Sequence, residues 1–187
     1  QKSFDDAYAE FARVVEADPD CAVAHVAWGL ALTESVRRGA PLKRFSKGSD
    51  EKFAEAIKQY STALAADNKF KEAYAAWGYT LFVKNTNNPL LLPPVGSEGP
   101  VLAKYIQALR LDPDFEWALS LLAQTYVAYA GADTLYAKHL RKEANREGKG
   151  GNGKKMAEAV RLDKLAESYT DSALAASTRL AKLAPQD

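Results

Sequence analysis

Residues 7–20 read AYAEFARVVEADPD, residues 56–69 AIKQYSTALAADNK and residues 101–114 VLAKYIQALRLDPD, and the three share one skeleton. In each, a small or apolar residue (Ala7, Ala56, Val101) is followed four places on by an aromatic (Phe11, Tyr60, Tyr105). Val14, Ala63 or Ala108 follows three places later. This spacing puts all three positions on one face of a helix. Pro19, Asn68 or Pro113 comes five places further on. A proline there stops the helix, because its ring disfavours helical geometry in the residue before it. Asp20 and Asp114 then stand where they would cap the next helix. A weaker fourth copy, Ala173, Ser177, Leu180 and Pro185, closes the chain.

The helix that follows each skeleton repeats as well. AHVAWGLAL (24–32) aligns with AYAAWGYTL (73–81) and with ALSLLAQTY (118–126). Trp28-Gly29 matches Trp77-Gly78, and Leu122-Ala123 takes the same place. Glycine or alanine there allows a neighbouring helix to pack close. These alternating helices resemble the tetratricopeptide (TPR) repeat, a helix-turn-helix unit of about 34 residues. The first-helix pattern of that family is carried by His25/Trp28/Gly29/Leu32, Tyr74/Trp77/Gly78/Leu81 and Leu119/Leu122/Ala123/Tyr126, and the second-helix pattern by the skeletons above. The resemblance implies an all-α fold, a right-handed superhelix of about three and a half repeats forming a single domain. A generic α-helical bundle is the alternative.

Composition agrees with a helical domain. Alanine, the best helix former, occurs 34 times in 187 residues, and strand signals are nearly absent. Lys+Arg number 25 and Asp+Glu 24, a balance that argues against a dedicated nucleic-acid binder. The single cysteine, Cys21, excludes an internal disulfide and a cysteine-based zinc site. No apolar run approaches the roughly 18 residues of a transmembrane helix. The compartment stays open, cytoplasmic or exported, and a start at Gln1 is compatible with a processed N-terminus.

Within the TPR frame, residues 1–19 are the second helix of a half repeat, followed by repeats over 20–68, 69–113 and 114–187. Their lengths exceed the family's because of insertions between the two helices of each repeat. The first is the basic loop 37–50, RRGAPLKRFSKGSD, with Ser49 or Asp50 expected to cap the helix after it. The second is the proline-rich loop 84–100, whose four prolines exclude helix and whose Leu90, Leu91, Leu92 and Val95 need cover. The third spans 131–170 and reads as a projecting C-terminal helical hairpin with a glycine-rich tip. Gly131 is expected to break its ascending arm, with Asp133 recapping it. Leu135, Tyr136, Leu140, Met156, Val160, Leu165 and Tyr169 are expected to pack its two arms.

No residues assemble a catalytic or metal-binding pattern, and no cofactor is implied. GKGGNGKK (148–155) imitates a phosphate loop but has Lys155 where Ser or Thr should hold magnesium, and no strand precedes it. His25 and His139 lack the spacing of a zinc pair. A non-enzymatic protein-interaction scaffold is therefore expected. The family's groove positions fall on Val23, Val26, Leu30, Tyr79, Phe82, Trp117 and Val127, an apolar and aromatic set suited to a peptide or helical segment. Alternatively, the uncovered first helix, with Phe4, Tyr8, Phe11 and Val15, is a face for end-to-end self-assembly into oligomers or filaments. A third reading is an accessory of an extracytoplasmic transport or secretion system.

Overall fold

The computed structural model describes residues 2–39, 47–86, 98–147 and 152–183. Seven helices account for nearly all of them: α1 (Lys2–Ala17), α2 (Ala22–Arg37), α3 (Lys47–Ala66), α4 (Lys71–Thr86), α5 (Glu98–Leu111), α6 (Glu116–Glu147) and α7 (Asn152–Leu183). The described residues contain no strand, so the chain is all-α. It divides into two compact units, Gln1–Ala118 and Leu119–Asp187.

In the first unit, consecutive helices pack on one another, α2 most extensively on α3 and α4 on α5. Helix α2 also packs on α4, and α1 on α2. The repeated skeleton forms the buried seam. Ala56, Tyr60 and Ala63 on α3 are wholly buried, as are Val101, Tyr105 and Ala108 on α5. The core around Tyr60 includes Val26, Leu32, Ala73 and Ala76, with Tyr8, Trp28, Trp77 and Trp117 packed against it. Gly29 and Gly78 make room for the two tyrosines: a Cβ would lie 2.4 Å from the Tyr60 ring at Gly29 and 2.5 Å from the Tyr105 ring at Gly78.

The three turns between skeleton and following helix have one hydrogen-bond pattern. The amides of Asp18, Asp67 and Asp112 donate to the carbonyls of Val14, Ala63 and Ala108, four residues back. The amides of Cys21, Phe70 and Phe115 donate to the carbonyls of those same aspartates. Each aspartate carboxylate also accepts from the amide two residues on: Asp18 from Asp20 at 3.3 Å, Asp67 from Lys69 at 2.9 Å, Asp112 from Asp114 at 3.1 Å. These are Asx turns. The expected capping by Asp20 is thereby corrected: the cap position of α2 is Cys21, without a side-chain cap bond. The aspartate that organises the turn stands before the proline.

Other boundaries are corrected too. Helix α3 begins at Lys47, ahead of the expected Ser49 or Asp50 cap, and Ser49 is buried within its first turn. The proline-rich segment is helical at both ends: α4 reaches Thr86, and α5 opens at Glu98 with Pro100 in its first turn. Proline is tolerated there because the missing N–H has no intrahelical partner. Leu90, Leu91, Leu92 and Val95, residues 40–46 of the basic loop and residues 148–151 of the glycine-rich tip fall outside the described residues.

The second unit consists of most of α6 together with α7, an antiparallel pair. Helix α6 runs unbroken through Gly131, and Asp133 is buried inside it rather than capping a new helix. A lone glycine costs about 1 kcal/mol against alanine, too little to interrupt a helix packed on both sides of it. Buried positions recur at alternating steps of three and four: Ala130, Asp133, Ala137, Leu140 and Ala144 on α6; Ala159, Leu162, Ala166, Tyr169, Ala173 and Ala176 on α7. That is the seam of a coiled coil. Tyr126 and Tyr169 pack with ring centroids 5.6 Å apart, and Arg141–Asp163 and Lys155–Glu143 pair across the helices. Leu140, Leu165 and Tyr169 face inward to varying degrees as expected, but Leu135, Tyr136, Met156 and Val160 are exposed. Alanines occupy the seam instead, and the larger side chains fall outside its narrow stripe. Ser177, the expected counterpart of Tyr60 and Tyr105, is exposed, so α7 does not reproduce the buried skeleton.

Candidate partner-binding surface

Helices α2 and α4 lie side by side, and their outward residues form the surface that the sequence nominates. Val23, on the first turn of α2, is 65% exposed. Leu30 is half-buried, with its inner side packed on the core. Val26 is 6% exposed and belongs to the core. Its expected place in a groove is corrected, because α2 is flanked by α1, α3 and α4 together and keeps only a narrow free stripe. On α4, Tyr79 and Phe82 are half-buried, and Tyr79 packs against the cluster of Val36, Phe53 and Val83. Trp117, at the start of α6, is half-buried against the core, edge-on to Phe115. Val127 is 62% exposed and lies in the second unit.

The polar centre of this surface was not foreseen. The Tyr79 hydroxyl donates to Glu34 Oε1 at 2.5 Å, joining α4 to α2. Arg37 clasps the same carboxylate with two bonds, 2.9 and 2.7 Å, and Arg38 adds a third at 3.0 Å. The Arg37 bonds hold the Glu34 carboxyl down at about 2, with the Tyr79 and Arg38 bonds adding to the effect against burial. Burial, and then the bond to Glu34, push the Tyr79 phenol up to about 12. Arg37 and Arg38, which as sequence read as the start of an unopposed basic loop, are thus paired backwards along the helix.

Beneath this surface lies a second polar layer. The hydroxyls of Thr33 and Thr80 are 2.8 Å apart, and the Tyr60 hydroxyl is 3.0 Å from that of Thr80. Thr33 and Thr80 also bond to the carbonyls of Gly29 and Ala76 within their own helices. Two further contacts flank α4: the Lys104 ammonium sits 3.6 Å from the Trp77 ring centroid, and Lys71 bridges Asp112 at 2.5 Å while lying over Phe115. Desolvation lowers the pKa of Lys104. Lys104 ties α5 to α4, and Lys71 ties α4 to the turn between α5 and α6.

No protein-family model and no curated protein matches the chain. Its chemistry must therefore be read from the residues themselves. His25 is buried, bonded to Gln59 and to the Pro19 carbonyl, and His139 faces Glu143 at 3.3 Å. Cys21 is half-exposed. Among the described residues, no group of three or more His, Cys, Asp or Glu is placed to hold a metal ion, and no helix is long and apolar enough to cross a membrane.

The residues named for self-assembly, Phe4, Tyr8, Phe11 and Val15, are all half-buried. Tyr8 packs on the core, and its hydroxyl donates to the Ala31 carbonyl at 3.4 Å. Among the described large apolar side chains of α1, Val14 is exposed, at 44%. The expected uncovered face is in part the face by which α1 seats on α2.

Proposed function

We propose that the chain is a non-catalytic protein-interaction scaffold of the tetratricopeptide type, binding a peptide or helical segment across α2 and α4. The observation that carries this reading is the packing of α2 on α4 beside the pairs α2/α3 and α4/α5. In stacked two-helix repeats, equivalent helices line up and present a continuous stripe to a partner. The matching turns at Asp18, Asp67 and Asp112 support such a stack. The right-handed superhelix of three and a half repeats belongs to the same proposal.

The stripe combines Val23, Leu30, Tyr79 and Phe82 with a polar rim of Glu34, Arg37 and Arg38. Apolar and aromatic anchors bordered by charge suit a segment that inserts a few apolar side chains. A photo-crosslinking residue at Val23 should trap one discrete partner, and Phe82→Ala should abolish the trapping while leaving the helical circular-dichroism spectrum intact. The same crosslinker at Lys58, on exposed α3 surface, should trap none of it. Equal trapping from both positions would overturn the assignment.

A further inference from the structure

We infer that the chain associates with itself head to tail, α1 of one copy seating on the outer face of α6 of another. In the first unit each buried skeleton is covered by the helix before it: Gly29 receives the Tyr60 ring and Gly78 the Tyr105 ring, and Ala56, Tyr60 and Ala63 are wholly buried. The equivalent residues of α1 are not. Ala7 and Phe11 are half-buried, and Val14 is 44% exposed. Among the described helices, α3 is packed between α2 and α4, whereas α1 seats on α2. The face of α1 that remains fits a helix presenting a small residue to Phe11, with apolar side chains on either side of it.

The outer face of α6 has that form. Gln124, Val127, Gly131, Leu135, Lys138 and Lys142 recur at steps of three and four, which makes them one stripe along the helix. The stripe lies opposite the seam of Ala130, Asp133, Ala137 and Leu140 that packs on α7. Val127 is 62% and Leu135 54% exposed. Gly131 stands midway between them, and a Cβ there would meet nothing within 4 Å. Glycine in a helix interior is unfavourable against alanine. Gly29 and Gly78 offset that by admitting a ring, but no described side chain of its own copy comes to Gly131. An aromatic without a glycine and a glycine without an aromatic are the two halves of the contact that Tyr60 and Gly29 make.

Charge selects a second copy as the occupant. Helix α1 exposes Asp6, Glu10 and Glu16, and its Arg13 is bonded to Glu10. From Gln124 to Lys142 the α6 stripe carries Lys138 and Lys142 and no acid. Opposite charges bordering two apolar faces steer one onto the other and disfavour each face on its own kind. Helices α2 and α3 run antiparallel, since Gly29 meets Tyr60 and Val36 shares a cluster with Phe53. Laid on α6 in the same sense, with Phe11 over Gly131, α1 brings Ala7 to Leu135 and turns its acidic start towards Lys138 and Lys142. The two faces differ, so every association leaves one of each free, and growth continues unless a ring closes.

The test is sedimentation velocity of the full chain from about 1 to about 500 μM, a range that reads micromolar to near-millimolar dissociation constants. Wild type should gain mass with concentration. Val14→Lys changes an exposed residue in the last turn of α1, where a cation suits the helix end. Gly131→Leu changes an exposed glycine to a better helix former. Both variants should keep the helical circular-dichroism spectrum, and each should weaken association by at least about tenfold, the first by burying an unpaired ammonium and the second by filling the place of the ring. They spoil opposite faces. An equimolar mixture of the two should therefore regain association but stop at a one-to-one pair. Wild type that stays a single chain throughout overturns the inference. So does a Gly131→Leu protein that associates as wild type does, which would put the contact elsewhere, and so does a mixture that stays monomeric while wild type assembles.

Discussion

Replacing Gly29 by alanine tests whether the aromatic skeleton and the small-residue site are one device. The new Cβ would stand 2.4 Å from Tyr60 Cε1 and 2.7 Å from Cζ. Ordinary carbon contacts are about 3.5–4.0 Å, so the ring would have to withdraw by about 1 Å. It has nowhere to go: Tyr60 is wholly buried and its hydroxyl is held at 3.0 Å from Thr80. Overpacking of this kind costs about 1–3 kcal/mol, and loss of the hydroxyl bond about 1 kcal/mol more. Alanine's better helix propensity offsets about 1 kcal/mol. The net expectation is a loss of roughly 1–3 kcal/mol, read as a lower urea midpoint by circular dichroism. Gly78→Ala should behave alike, since its Cβ would lie 2.5 Å from Tyr105. Gly131→Ala should do the opposite and stabilise by up to about 1 kcal/mol, because that site is a helix interior with nothing near the added methyl. In a Tyr60→Leu background, Gly29→Ala should cost distinctly less, as a double-mutant cycle would report. A Gly29→Ala protein as stable as wild type would refute the close-packing account.

Three further outcomes are expected. The Glu34 carboxyl is depressed to about 2 in the folded chain, so its contribution to stability is present above its unfolded value near about 4.3 and is lost as pH falls towards 2. Glu34→Gln should flatten the acid limb of the stability curve, and a carbon-13 titration of the Glu34 carboxyl should show the low midpoint directly. Thr80→Val should cost about 1–3 kcal/mol, because it leaves the Thr33 and Tyr60 hydroxyls short of a buried partner; combined with Thr33→Val it should cost less than the sum of the two, by urea titration. Leu162→Ala in the fully buried seam of α7 should cost about 2–5 kcal/mol, whereas Leu174→Ala, at a side chain 67% exposed, should stay within about 0.5 kcal/mol in the same assay.

The helices and their repetition were legible because they rest on spacing, and spacing survives folding unchanged. The step from Gly29 to the Tyr60 ring was half legible: the need for a small residue showed, but not which side chain would fill the space. Asp18, Asp67 and Asp112 recur at the same intervals as the skeleton, but the proline after two of them is the stronger helix-stop signal and the aspartate carries none of its own until the turn is built. The seam of the α6–α7 pair departs from the sequence expectation for a different reason. Large apolar residues were expected to mark the contact, whereas close helix packing selects alanine and leaves Leu135 and Val160 outside. Val26 shows the limit of a face assignment from one helix. Val23 and Val26 are one turn apart, but the free stripe depends on how many neighbours α2 has, and sequence spacing does not count neighbours.

The surface of α2 and α4 is a consequence of their buried register. Thr33 and Glu34 are adjacent on α2, and Tyr79 and Thr80 are adjacent on α4. One member of each pair points inward and the other outward. The inner pair meets at 2.8 Å and the outer pair at 2.5 Å. A slide of one helix turn along the other would separate both pairs at once. On such a slide the two hydroxyls keep their bonds to the Gly29 and Ala76 carbonyls but lose one another inside the core, which costs more than the outer pair suffers in water. The threonines therefore fix the register, and the tyrosine–glutamate contact with its two arginines inherits it. Any partner that reads Tyr79 and Phe82 beside Leu30 reads an arrangement held from within, and substitutions at Thr33 or Thr80 act on that surface without touching it.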